Sequence, residues 1–252
     1  TNELILLSEA FHSNRLGRIA DEIVSRTKVK VVAIAGPSGS GKTTFSERLK
    51  IQLLVFGRNP VTLAMDNYFV DRENTPRDEE GNYDFEVVEA LDLELLEEQL
   101  GRLLAGEEVV TPRFDFIEGR KKPGKKIKLG PRDVLIMEGI HGLNAKVTCA
   151  VPKDEKYGIF VSPLTGVNFD NHNRTSTTDN RLLRRLVRDS RTRGHSAEAT
   201  LLMWPKVIRG SMQYVFPYQK RADAMFNSSL PYELPALRAY VDPILHTVPE
   251  AS

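Results

Sequence analysis

Residues 36–43 read Gly-Pro-Ser-Gly-Ser-Gly-Lys-Thr, and no other string in the chain restricts its fold so tightly. The pattern G-x-x-x-x-G-K-[ST] makes a loop whose backbone N–H groups turn inward, toward phosphate oxygens. Its neighbours fit. Residues 29–35 (VKVVAIA) are a β-branched apolar run, expected as a buried parallel strand. Residues 42–56 are expected as a helix with Phe45, Leu49, Leu53 and Phe56 on one side. Strand, loop and helix in that order put the loop at a helix N-terminus, where the peptide dipole favours an anion. The candidate phosphate ligands are Gly36, Ser38, Gly39, Ser40, Gly41, Lys42, Thr43 and Thr44. Lys42 is placed to reach the β- and γ-phosphates of ATP, and the Thr43 hydroxyl to ligate Mg2+.

The rest of the chain repeats the alternation. Residues 3–26 are expected as helix. Strands are expected at 61–65, 134–137, 157–161 and 224–227. Helices are expected at 89–104, 179–193, 197–218 (kinked at Pro205) and 234–245. Residues 71–84 and 163–179 are polar and expected as loops. A hairpin strand is expected at 125–129, after a turn at Pro123-Gly124. Apolar strands alternating with helices predict an α/β fold with a parallel sheet covered on both faces. The division expected is an N-terminal helical segment, 1–28, and a P-loop domain, 29–252, with a lid around 179–196.

In open parallel sheets ligands collect at the C-terminal ends of the strands. Asp66 and Glu138 both follow expected strands there. Asp66 is a candidate base for an attacking hydroxyl, or a metal ligand. Glu138, closing the apolar run Val134-Leu-Ile-Met, is a candidate Mg2+ partner, direct or through water. Arg181, Arg184, Arg185, Arg188 and Arg191 recur at helical spacing, and such a like-charge stripe is disfavoured unless an anion compensates it. A triphosphate under a closing lid would do so, with Arg193-Gly194 at the lid's tip or hinge. A guanine-reading Asn/Thr-Lys-x-Asp motif is absent, and Asp78-Glu-Glu-Gly81 lies in a polar loop rather than after a strand, so a GTPase switch is disfavoured.

These residues together resemble the uridine kinase and phosphoribulokinase family, over about 29–227. GPSGSGKTT looks like its phosphate loop. Met65-Asp-Asn-Tyr-Phe69 is similar to its strand-end segment, which implies a catalytic base at Asp66 and brings Tyr68 to the substrate side. Tyr83-Asp84-Phe85 resembles the segment whose aspartate binds sugar hydroxyls. Pro112-Arg-Phe114-Asp-Phe116 resembles the segment beside the nucleobase. IMEGIHGL, 136–143, is similar to the family's strand end, and 181–194 to its arginine lid. The resemblance implies Arg185 near the sugar and Arg188 and Arg193 on phosphates. Departures concentrate where a base would be read: Gly119 replaces a histidine, Phe114 a tyrosine, His195 a second arginine, and Met203 stands near a glutamine. Lost hydrogen-bond donors of that kind shift specificity by orders of magnitude.

The resemblance implies an ATP-dependent kinase acting on a small-molecule hydroxyl, a nucleoside first. A sugar or sugar phosphate acceptor and an ATP-binding regulatory module with little turnover stay open. The formal charge of +1 gives no global field toward nucleic acid or membrane. The basic run Arg120 to Lys128 is expected as a solvated hairpin loop rather than a nucleic-acid site. One cysteine, Cys149, forms no internal disulfide and suits a reducing cytoplasm. A homo-oligomer is left open. Overall texture resembles a bacterial subgroup in which such a domain follows a region similar to threonyl-tRNA synthetase accessory domains, so the chain is expected to be part of a longer one.

Overall fold

The computed structural model describes residues 2–166 and 171–249. Most of the loop expected at 163–179 is among them; residues 167–170 lie outside the described part. Among the described residues, seven strands and six α-helices follow one another as α1 (Asn2–Ser25), β1 (Val31–Ala35), α2 (Lys42–Val55), β2 (Asn59–Ala64), α3 (Leu93–Leu104), β3 (Val109–Asp115), β4 (Arg120–Ile127), β5 (Asp133–Glu138), β6 (Lys156–Ser162), α4 (Thr177–Arg188), α5 (Ala197–Gly210), β7 (Ala224–Asn227) and α6 (Glu233–Leu245). The main sheet is parallel, in the order β2-β5-β1-β6-β7. Strands β1, β5 and β6 are buried along almost their whole length, because helices cover both faces.

On one face α1 and α2 pack Leu16, Ile19, Ala20, Ile23, Phe45, Leu49 and Leu53 against Val32, Ile34 and Ile136. On the other, α3 and the β3–β4 hairpin pack Leu96, Leu100, Leu103, Val109 and Phe114 against Val31, Leu135 and Met137. The alternation of these residues along β1 and β5 divides them between the two layers.

Three expectations are corrected. The hairpin turn is not at Pro123-Gly124. Strand β4 runs straight through that pair, with Pro123 opposite Pro112 beside a register shift. Proline lacks a donor, and a two-stranded ribbon with a bulge has positions where none is needed. The turn is instead built by Asp115, whose Oδ1 accepts from the N–H groups of Ile117 and Glu118, while the Gly119 N–H donates to the Asp115 carbonyl. Helix α3 begins at Leu93 rather than Glu89, since the Asp92 side chain caps it by accepting from the Leu95 N–H. The helix expected over 197–218 is α only to Gly210, followed by a π-helical turn, Ser211–Val215, and a 3-10 turn, Phe216–Arg221.

Candidate active site

One line of register across the sheet explains how the site is assembled. Ala64 on β2 pairs with Glu138 on β5, and Glu138 pairs with Ile34 on β1. Two residues beyond Ala64 comes Asp66; two beyond Ile34 comes Gly36. Strand β5 separates β2 from β1, so Asp66 and the phosphate loop flank Glu138 at the same sheet edge rather than coming from adjacent strands.

The loop is held tight by its own lysine. Lys42 Nζ donates to the carbonyls of Gly36 (2.8 Å) and Pro37 (3.3 Å). Burial pulls the ammonium pKa below its ordinary value, partly offset by the carboxylates of Glu138 and Asp66. Gly39 has φ +77°, and a Cβ there would lie 2.6 Å from the Arg181 carbonyl, so only glycine lets α4 come this close. The hydroxyl of Thr43 donates to Glu138 Oε1 at 3.2 Å. Burial raises the Glu138 pKa against the pull of Lys42, and Glu138 Oε2 is buried with no partner. A hydroxyl and a carboxylate side by side, one oxygen unspent, suit a hard divalent cation that keeps most of its waters.

Helix α4 behaves differently from a free arginine stripe. Arg181 is 2% exposed, donates to the Ser38 carbonyl (2.8 Å) and Ser211 Oγ (2.9 Å), and lies over the Trp204 ring at 5.3 Å. Burial lowers its pKa to about 10. Arg184 pairs with Glu233 and donates to the Ser228 carbonyl and hydroxyl. Arg191 stands over the Tyr240 ring at 5.6 Å. Protein groups, not only a phosphate ligand, therefore compensate the stripe.

Arg185 and Arg188 face the phosphate loop, and fully buried Asp189 ties both. It accepts from Arg185 Nε at 3.1 Å and from Arg188 at 2.6 Å. Arg185 also donates to Ser38 Oγ at 2.9 Å. Arg188 and Lys42 line one cavity with Gly39, Gly41, Thr43 and Thr44. The helix then widens into a π-turn, Asp189–Arg193, closed by Gly194. That turn brings Arg193 Nη2 to 3.9 Å from Asp66 Oδ2 and its guanidinium over the Phe116 ring at 5.7 Å. At this spot the π-turn, the strand-end acid and the hairpin meet.

Not every anticipated residue reaches the cleft. Tyr68, anticipated as a substrate contact, is a core residue: its side chain is inaccessible, and its hydroxyl donates to Gln99 Oε1 at 2.7 Å. Phe114 is 5% exposed, inside an aromatic cluster with Phe69 and Phe116. Phe116, from the same segment expected beside a nucleobase, is the exposed member at 52%. Asp84 is half-buried, its Oδ1 accepting from the Glu86 N–H at 3.0 Å. His195 is exposed, its backbone N–H on the Asp189 carbonyl. Gly119 has φ +70°, and a Cβ there would lie 2.8 Å from the Arg72 side chain, so Arg72 occupies the space a side chain at 119 would need. The basic run on β4 is partly neutralised: Lys121 pairs with Asp92, Lys122 with Asp115 and Glu118, and Lys126 with Glu108. Asp78 is structural, accepting from Glu80, Asn82 and Lys206.

Two buried groups were not singled out from the sequence. Glu86 Oε2 is sealed without a partner under Gly210, near Arg185 and Asp84, and burial raises its pKa to about 7. His141 is 2% exposed against the backbone of Glu86 and Val87, and burial lowers its pKa to about 4. Glu86 carries no local pattern, and His141, although inside the strand-end segment 136–143, is marked only by what packs over it.

Comparison with known proteins agrees with this geometry. The uridine kinase of Staphylococcus haemolyticus is 34% identical over 196 residues, 77% of this chain and 84% of that protein. D-glycerate 3-kinase from Cryptococcus neoformans shares the fold at TM-score 0.52 and 15% identity, over 81% of this chain and 89% of that one. YFH7 from Saccharomyces cerevisiae does so at TM-score 0.59 and 10% identity, over 85% and 98%. The model of the phosphoribulokinase / uridine kinase family matches residues 31–233, from the first sheet strand to the start of the last helix. With its phosphate loop, strand-end carboxylates and arginine-bearing helix arranged as described, the chain belongs to the phosphoribulokinase / uridine kinase family and is a phosphotransferase built on the P-loop kinase fold.

Proposed function

We propose that the protein transfers the γ-phosphoryl group of ATP to a hydroxyl of a nucleoside, the sugar hydroxyl nearest Asp66. The observation that carries this reading is the convergence of Arg193 on Asp66 at 3.9 Å, one strand away from a phosphate loop whose lysine is the loop's own clamp. On nucleotide arrival Lys42 exchanges two carbonyl oxygens for phosphate oxygens, which costs little because both are hydrogen-bonded states. Asp66 is 44% exposed at its side chain, open enough to take the proton of an incoming hydroxyl. The hydroxyl oxygen forms its bond to Pγ as the bond to the bridging oxygen breaks, and ADP leaves. Arg188 and Arg193 offset charge on the equatorial oxygens. Mg2+, held by Thr43 and Glu138 when the nucleotide is bound, would neutralise β- and γ-oxygen charge. Asp84 and Arg185 are assigned to the acceptor's sugar, and the exposed ring of Phe116 to its base. The reaction belongs in the cytoplasm, where ATP is supplied.

A second reading, a non-nucleoside alcohol as acceptor, is favoured by one observation: Arg72 fills the space beside Gly119, so a charged guanidinium stands at the acceptor side. ADP release from Mg-ATP across a panel of nucleosides, sugars and sugar phosphates separates the two. Lys42→Ala and Asp66→Asn are each expected to lower kcat by roughly 100-fold or more. Near-normal turnover in either variant sinks the assigned chemistry, and ATP binding with no acceptor-dependent ADP release points to a regulatory module.

A further inference from the structure

Helix α1 lies ahead of the segment that the family model matches, yet it is not an appendage of the site. A cavity of about 610 Å3 is lined by the phosphate loop and the start of α2, and equally by His12 and Leu16 of α1. That volume is in the range that ligand pockets occupy. Phe226 at the end of β7, Ser228 and Leu230 complete the apolar and backbone part of the wall. Three side chains of α1 lock it there. His12 sits edge-on against the Phe226 ring, 5.1 Å between centroids. Glu9 takes the Tyr232 hydroxyl and, at 3.1 Å, Arg48 of α2. Arg15 reaches the Met225 carbonyl.

The chemistry of His12 follows from its partners. Nε2 lies 3.2 Å from the Ser229 carbonyl oxygen, which can only accept, so Nε2 carries the proton. Burial lowers the ring's pKa, which keeps it neutral at physiological pH. In a neutral ring with Nε2 protonated, Nδ1 is a bare acceptor. An acceptor on the wall of a base pocket favours a base edge that presents an amino group over one that presents a carbonyl.

We propose that α1 forms the base-side wall of the nucleotide pocket and that His12 selects the donor nucleotide, accepting from the exocyclic amine of adenine. The inference rests on the reading of residues 36–44 as the triphosphate loop. It makes the donor specificity of this chain depend on a helix outside its kinase module.

The test is equilibrium binding of ATP, GTP and inorganic tripolyphosphate to the full chain, wild type against His12→Ala and His12→Phe. His12→Phe keeps a ring against Phe226 but has no acceptor nitrogen. Expected is a wild type that prefers ATP to both GTP and tripolyphosphate. In both variants the ATP-over-GTP preference should shrink roughly 3- to 10-fold, the loss of one hydrogen bond, with tripolyphosphate affinity unchanged. An unaltered ATP-over-GTP ratio in both variants overturns the proposal. So does a wild type that binds tripolyphosphate as tightly as ATP, which leaves the phosphate-loop reading standing. A wild type that binds none of the three ligands removes both.

Discussion

At the scale of single residues, what the sequence makes plain and what it hides divide by range. Lys42, Thr43, Asp66 and Glu138 are legible because a loop pattern or a strand end announces them within a few residues. Asp189 reads locally as one acid among arginines; only burial shows that it ties two of them toward the phosphate loop. Arg181 reads as one of a stripe of arginines awaiting an anion and is instead among the largest fully buried side chains, paid for by Ser38, Ser211 and Trp204. Tyr68 was misplaced for the opposite reason: its segment resembles a substrate-side motif, and the Gln99 that claims its hydroxyl lies on another helix. Glu86 has a measurable consequence. Its carboxyl is raised to about 7 in the folded chain from an ordinary 4.5, so the folded state binds the proton more tightly than the unfolded one. Its contribution to stability is full below pH 4.5 and is lost as pH rises through about 7, to an extent on the order of 3 kcal/mol. Glu86→Gln should therefore flatten the fall in stability between pH 4.5 and 7 and stabilise the protein at pH 8. Urea denaturation at pH 5, 6, 7 and 8 reads this, and an unchanged pH slope would refute the account.

Elements show the same split. Strands β1, β5 and β6 are readable because burial on both faces leaves an unbroken apolar run between turn residues. The hairpin is readable only in part, as a strand at 125–129 with its turn misplaced. Val109–Asp115 and Arg120–Ile127 carry prolines, a glycine and six basic residues on β4 and β3 together with no apolar run, and their pairing is set by an aspartate-built turn and by acids on neighbouring elements. Helix α3 was found but begun too early, since Val88–Ala90 forms a separate 3-10 turn and Asp92 holds the cap. Asp92 also pairs with Lys121, so it fixes both the helix start and the hairpin's position beside it. Asp92→Ala is expected to cost about 1–2 kcal/mol in thermal or urea unfolding, and Asp92→Asn, which can still cap, less than half of that. Equal losses in the two variants would mean that the ion pair, not the cap, carries the effect.

Across the whole molecule, α1 is the feature that the family match leaves out and the core does not. Leu16, Ile19, Ala20 and Ile23 share one cluster with Val32, Ile34, Phe45 and Ile159, all buried. Ile19→Ala should thus cost about 2–5 kcal/mol, like a core truncation in any strand of the sheet, as measured by equilibrium unfolding. A loss below about 1 kcal/mol would show that the helix rides on the domain instead of completing it. The order of strands gives α1 a further importance. Both neighbours of β1, β5 and β6, come from residues 133 onward, so a chain emerging from the ribosome has made Val31–Ala35 long before either flanking strand exists. Parallel pairings of this reach form late, and a bare apolar strand invites aggregation in the interval. Helices α1 and α2, synthesised on either side of it, are the partners at hand, and α1 then works during translation as a built-in cover for a half-made sheet.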